Sequence, residues 1–226
     1  MNRRMMIAAL LAVAAPAFAQ TAPETAPAPA ATPAPAEDLP RVAIVTADGT
    51  IVVALEIRKA PITSANFLRY VDQKRFDGAT FYRALTVKGG NGEGLIQGGV
   101  SNDPKKVLPP IKHEPTTLTG LSHVDGTISM ARHEPGSAQG EFFITLGSMT
   151  YIDADPKAAG DNLGFAAFGH VVEGMDVAKK ILAEPISTTD TSPMKGEILA
   201  RPVKIISARR VKQGERAEPR TSLRGA

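Results

Sequence analysis

The 226-residue chain contains no cysteine and no tryptophan, and only four histidines. Without cysteine there can be no disulfide, no thiolate metal site and no lipid attachment through an N-terminal Cys. His113, His123, His133 and His170 stand ten or more residues apart and no HExxH element accompanies them. No pair has the spacing of neighbouring ligands on one helix face, so they read as surface or loop histidines and no metal site is expected. Ser122, Ser129 and Ser137 have histidines nearby in sequence but no nucleophile-elbow pattern, which argues against a hydrolase. The stretch "KGGNGEG" (88–94) lacks the Gly-Lys-Ser/Thr ending of a phosphate cradle and reads as a flexible loop. Charge of one sign is also lacking. Removing Arg3 and Arg4 with the leader described next takes the 26 basic residues to 24 against 23 acidic, a net of +1. A near-neutral chain gives no electrostatic case for nucleic acid.

The leader is an address. Arg3 and Arg4 precede an apolar run, Met5 to Ala15, and Ala17-Phe18-Ala19 is a small-x-small cleavage signal before Gln20. The run is about half of the roughly 20 residues a membrane span needs. A signal peptide over 1–19, export to the periplasm and no stable membrane insertion after cleavage are expected. Residues 20–40, with "TAPETAPAPAATPAPAEDLP", are mostly Ala, Pro and Thr and read as a disordered linker. At the other end, Arg209, Arg210, Lys212, Arg216, Arg220 and Arg224 with Glu215 and Glu218 read as a basic, solvated tail over 209–226.

Between them, residues 41–208 are one domain's worth of chain. "RVAIVTADGTIVVALEI" is two β-branched runs joined at Asp48-Gly49, a strong hairpin signal. "APITSANFLRYVDQK" changes period: Pro61 suits a first helical turn, and Ala65, Leu68, Phe67 and Val71 suggest an apolar helix face. A second helix reads in "EGMDVAKKILAE", with Met175, Ala178, Ile181 and Leu182 recurring and Pro185 ending it. The remaining apolar runs are short and separated by Gly, Pro, Asn and Asp, which points to a β-barrel or sandwich with helices outside or at its ends. In "SAQGEFFI", strand alternation puts Glu141 and Phe143 on one face and Phe142 and Ile144 on the other. A charge beside an aromatic means that this face is either solvent or a site.

"FDGATFYR" (76–83), "LIQGG" (95–99), "GTISMAR" (126–132), "GEFFI" (140–144) and "FAAFGHVVEGMDVAKKI" (165–181) follow one another in an order that resembles the cyclophilin family of peptidyl-prolyl cis–trans isomerases. "NFLRYV" and "PPIKHE" fit as well, and the resemblance runs from about Val42 to Ala208, nearest to exported bacterial members. It implies a mainly β fold, a closed eight-stranded antiparallel barrel capped by two α-helices. A barrel of this size is filled by side chains, so the site lies outside it. The resemblance also implies isomerisation of X–Pro bonds in unfolded polypeptides by a monomer with no cofactor. By the same resemblance Arg83 is the catalytic residue, Phe143 the floor of a proline pocket, and Leu95 and Ile152 its walls. Gln97 bonds the substrate backbone, and Ala131 and Arg132 pair with the peptide main chain. Tyr151 and Phe165 border the groove, and Met130 belongs to the core.

Several residues depart from the family. Tyr82 stands where histidine is usual, and the segment from Ala84 to Ile96 is longer and richer in glycine. Gly94 takes the place of a pocket aromatic. Tyr151 and Phe165 replace a tryptophan and a histidine, changes that bear more on inhibitor binding than on catalysis. Glu141 occupies a position that is usually glutamine, where a carboxylate either holds Arg83 or weakens its pull on the amide. The alternative function is a catalytically weak, cyclophilin-like chaperone or peptide-binding scaffold that uses the same groove.

Overall fold

The computed structural model describes residues 39–90, 92–100 and 103–212. The expected signal peptide, the linker up to residue 38 and the tail beyond Lys212 lie outside the described residues. Strands β1 (Arg41–Thr46) and β2 (Gly49–Leu55) form the expected hairpin, in register from Arg41↔Ala54 to Thr46↔Gly49. Its two turn residues are Ala47 and Asp48, one position earlier than the Asp-Gly pair suggests. Gly49 opens β2 at φ +136°, a conformation that side chains disfavour.

The other strands are β3 (Thr80–Thr86), β4 (Gly94–Gly99), β5 (Thr127–Met130), β6 (Phe142–Leu146), β7 (Ala166–Glu173) and β8 (Ile198–Val211). They close in the order β1-β2-β7-β5-β6-β4-β3-β8, each antiparallel to its neighbours. Helix α1 (Pro61–Asp72), the single-turn α2 (Thr116–Thr119) and α3 (Met175–Leu182) complete the element set with two short 3-10 turns. Among the described residues no helix is long and apolar enough to cross a membrane.

Period-2 patterning fills the barrel. Phe142 and Ile144 of β6 are buried in the main core, where the Phe142 ring meets Phe67, Phe76 and Phe81 edge-on at centroid distances of 5.3–5.6 Å. Helix α1 buries Phe67, Leu68, Tyr70 and Val71, but Ala65, expected on that face, is exposed. Thr63, Ser64 and Asn66 are buried instead, and their polar groups are satisfied. Buried Glu114 accepts from the Ile62 and Thr63 backbone N–H groups and from the Thr63 hydroxyl, and Asn66 donates to the Gln139 carbonyl. A carboxylate on the free N–H groups of a first helical turn also suits the helix dipole. Helix α3 buries Ala178, Ile181 and Leu182 as expected, with Val177 beside them.

The boundary expected at residue 208 is displaced. Strand β8 continues through Arg209 and Arg210 to Val211, and neither arginine is a free, solvated charge. Arg209 forks onto Asp77 at 2.6 and 2.7 Å, and Arg210 onto Asp72 at 2.7 Å twice. Hydrogen bonds from these guanidinium groups hold both aspartates below the usual carboxylate range.

Replacing Phe142 by Ala leaves a ring-sized hole among three aromatics and is expected to cost about 3–5 kcal/mol in urea unfolding. A loss below about 1 kcal/mol would contradict this packing.

Candidate functional site

The site begins with an irregularity in β3. Phe81 pairs with Gly98 of β4 and Arg83 with the very next residue, Gln97, so Tyr82 is an extra residue in the ladder. Strict alternation would turn Arg83 inward with Phe81. The bulge re-aims it: Phe81 and Ala84 both reach the core, and Arg83 faces outward beside Gln97. Across the next strands the same row continues, Arg83↔Gln97↔Phe143↔Ser129. With strands about 4.8 Å apart, Arg83 and Phe143 lie about 10 Å apart at Cα, within side-chain reach of one another.

Arg83 donates from Nε to Glu197 Oε2 at 2.7 Å, and its Nη2 lies 2.6 Å from the same oxygen. Its Nη1 donates to Gln97 Oε1 at 2.7 Å. Gln97 Nε2 donates to the Tyr82 hydroxyl at 2.7 Å, and that hydroxyl donates to Glu141 Oε2 at 2.8 Å. The direction of this chain is forced, because arginine only donates and a carboxylate only accepts. Glu141 therefore reaches Arg83 through two intervening side chains rather than by the direct pair that the sequence suggested. Gly99 makes room for it: at φ +153°, an added Cβ would lie 2.3 Å from Glu141 Oε1.

Beside this polar row lies an apolar cluster separate from the barrel core. Leu95, Phe143 and Met149 are buried in it, with Leu85, Val87, Ala131, Ile152 and Phe165 packed around them. Phe165 stands edge-on to Phe143 at 5.4 Å. The structure thus brings Leu95, Phe143, Ile152 and Phe165, expected around a pocket, into one apolar cluster. It explains Gly94 as well, because a Cβ there would lie 2.0 Å from the Leu85 carbonyl oxygen. The strand pairing excludes an aromatic at that position, and Leu85, Val87 and Met149 pack with Leu95 and Phe143 instead. Tyr151 does not join them; it is 69 % exposed.

Ala131 donates its N–H to the Glu141 carbonyl at 2.9 Å. The Arg132 side chain is committed to the loop before β7. It bonds the Gly164 carbonyl and Asp161, and its guanidinium lies 5.3 Å from the centre of the Phe165 ring. Sequence reasoning missed Glu197 and Met149, whose neighbours in the chain carry no recognisable motif.

His123 lies in a loop, as the sequence suggests, but it is fully buried rather than at the surface. Its ring stacks on Phe143 at 5.8 Å and 15°, its Nε2 is 2.9 Å from Ser129 Oγ, and its Nδ1 contacts Asp153. Asp153 also accepts from the His123 backbone N–H and from the Ser122 hydroxyl. Both ring nitrogens are satisfied, one by Ser129 six residues on and the other by Asp153 thirty residues on, and the remote partner gave no sign in the sequence. The Ser–His–Asp order is no hydrolytic site, because Ser129 is itself fully buried. Burial holds the imidazole below its ordinary pKa, against the upward pull of Asp153.

In the unfolded chain this histidine titrates near 6.5, so below that pH the unfolded state binds a proton that the folded state resists. Its contribution is full above about pH 6.5 and is lost as the pH falls further. The paired aspartates Asp72 and Asp77 act in a lower window, below their ordinary value of 3.8. The melting temperature is expected to fall between about pH 6.5 and 5 more steeply in the native chain than in His123→Asn. Equal slopes in differential scanning calorimetry would contradict this.

Comparison with known proteins agrees with the closed barrel. The family model described as "Cyclophilin type peptidyl-prolyl cis-trans isomerase/CLD" matches residues 41–210. The chain is 35 % identical to peptidyl-prolyl cis-trans isomerase A of Dickeya dadantii over 175 residues, 76 % of this chain and 85 % of that protein. It is 36 % identical to a peptidyl-prolyl cis-trans isomerase of Acinetobacter baylyi over 163 residues, 70 % and 79 % of the two chains. Among solved structures, a cyclophilin type peptidyl-prolyl cis-trans isomerase of Cryptosporidium parvum shares the fold. It has a TM-score of 0.60 and 18 % identity and covers 77 % of this chain and 99 % of its own. A second structure of that protein, solved in the presence of the dipeptide Ala-Pro, aligns with a TM-score of 0.59. By its matched length and its bacterial relatives, the chain belongs to the cyclophilin-type family of peptidyl-prolyl cis–trans isomerases.

Proposed function

We propose that this isomerase acts on X–Pro bonds of incompletely folded, exported polypeptides, with Arg83 as its catalytic residue. The barrier to X–Pro rotation is amide resonance, and the two isomers differ little in energy. A catalyst therefore needs no nucleophile and no ion. It needs a grip on the proline ring and a donor for the twisted amide, whose nitrogen regains its lone pair. The apolar cluster around Phe143 suits the ring, and burying a side chain of that size is worth about 2 kcal/mol.

The observation that carries the reading is the fixed position of the Arg83 guanidinium beside that cluster. Nε and Nη2 lie against Glu197 and Nη1 donates to Gln97, which engages three of the five N–H donors of the fork. The other two, one on each terminal nitrogen, have no hydrogen-bond partner among the described residues, and the side chain is 22 % exposed. A donor aimed at the amide nitrogen has nothing to bond while that nitrogen is planar. The bond forms only as the amide twists, so it lowers the barrier without tightening ground-state binding. The segment at Ala131 and Arg132 offers backbone groups for strand-like pairing with the peptide, which tolerates many sequences. Tyr151, exposed beside Ile152, would meet the flanking residues of a substrate at the groove rim.

Protease-free NMR exchange on an Ala-Pro peptide tests the role of Arg83. Arg83→Ala is expected to lower kcat about 100-fold or more with peptide binding retained. Native-like exchange in that variant would overturn the assignment. No exchange enhancement by the native chain at micromolar concentration, with binding intact, would point to the peptide-binding scaffold instead. Export is supported by Arg3, Arg4, the run Met5–Ala15 and Ala17-Phe18-Ala19. The mature chain recovered from a periplasmic fraction is expected to begin at Gln20 by mass spectrometry. An intact N-terminus at Met1 would contradict that.

A further inference from the structure

We infer that Glu197 is a positioning residue for Arg83, setting the orientation of its guanidinium before substrate arrives; this rests on Arg83 being the group that acts on the amide. Glu197 lies 114 residues from Arg83 in sequence. Its backbone is nonetheless fixed against β3: its carbonyl accepts from the Ala84 N–H at 2.8 Å, and its own N–H donates to the Met194 carbonyl at 3.0 Å. The next residue, Ile198, pairs directly with Arg83 across the β3–β8 ladder. The carboxylate is thus delivered by two strands that close the barrel. One of its oxygens takes Nε at 2.7 Å and lies 2.6 Å from Nη2, while Gln97 holds Nη1 at 2.7 Å.

Contacts at both ends fix the plane of the fork as well as its position. A free arginine side chain samples many rotamers, and ordering it in the transition state would slow the reaction. Here folding has already done the ordering, which is how positioned groups accelerate a step. A carboxylate also offsets part of the arginine's charge. Isomerisation creates no ion, so the direction of the donor counts for more than its net charge, and the positioning effect dominates.

The test compares the native chain with Glu197→Ala, Glu197→Gln and Arg83→Ala by NMR exchange on an Ala-Pro peptide, with melting temperatures as a folding control. Glu197→Ala is expected to lower kcat about tenfold and leave KM within about twofold, because the apolar pocket is untouched. Glu197→Gln retains an acceptor oxygen and is expected to recover most of the native rate. The Arg83 Nε–H resonance should be sharp in the native chain and in Glu197→Gln and broadened in Glu197→Ala. A native or faster rate in Glu197→Ala, alongside an inactive Arg83→Ala, overturns the role of Glu197 alone. Equal losses in both Glu197 variants with a raised KM also overturn it, since they indicate general damage to the groove. A fully active Arg83→Ala removes the Arg83 reading itself, a separate failure.

Discussion

One extra residue in β3 decides which side chains this barrel turns outward. Between Phe81 and Arg83 the ladder to β4 takes in one extra residue, Tyr82, and the face that Arg83 occupies is reversed. Without the bulge, a guanidinium would point into a core closed by Phe81, Phe142 and Ile144, at a desolvation cost of several kcal/mol. With it, the core keeps Phe81 and Ala84, and the outside gains two adjacent polar side chains, Tyr82 and Arg83. The outward row of Arg83 and Gln97 depends on that single local departure from period 2.

The polar row then fixes Arg83 while leaving part of its fork unengaged. Glu197 takes one edge of the guanidinium, and Gln97 takes its tip. Gln97 is oriented through Tyr82 by Glu141 at the far end of the chain of hydrogen bonds. Tyr82, which replaces the usual histidine, has a hydroxyl that both accepts from an amide and donates to a carboxylate, and Glu141 supplies that carboxylate. The two departures from the family pattern meet in one hydrogen bond. Under the apolar half of the site, buried His123 braces Phe143 and is itself held by Asp153 and Ser129.

Much of this was legible in the sequence where the signal is local or periodic. The β1–β2 hairpin, α1 and α3 follow from short-range patterns, and the opposite faces of Phe142 and Phe143 follow from alternation. The resemblance pointed to Arg83, Gln97, Leu95 and Phe143 because their motifs are contiguous, and the structure sets Arg83 against Gln97 and Leu95 against Phe143. What was not legible depends on partners remote in the chain. Glu197 has meaning only once β8 lies beside β3, and His123 reads as an ordinary loop histidine until Asp153 closes over it. Arg209 and Arg210 look like solvated tail because a charge reads the same whether free or paired, and their aspartates lie 132 and 138 residues away. The bulge itself is invisible, since it exists only as a mismatch between two strands.

The central claim is that the oriented, planar fork of Arg83, and not its positive charge, acts on the twisted amide. Arg83→Lys separates the two, because lysine keeps the charge but loses the fork and the paired contacts that fix its plane. The measurement is kcat for an Ala-Pro peptide by NMR exchange in the folded Lys variant. The account predicts a rate within a few-fold of that of Arg83→Ala, and a rate near that of the native chain would contradict it.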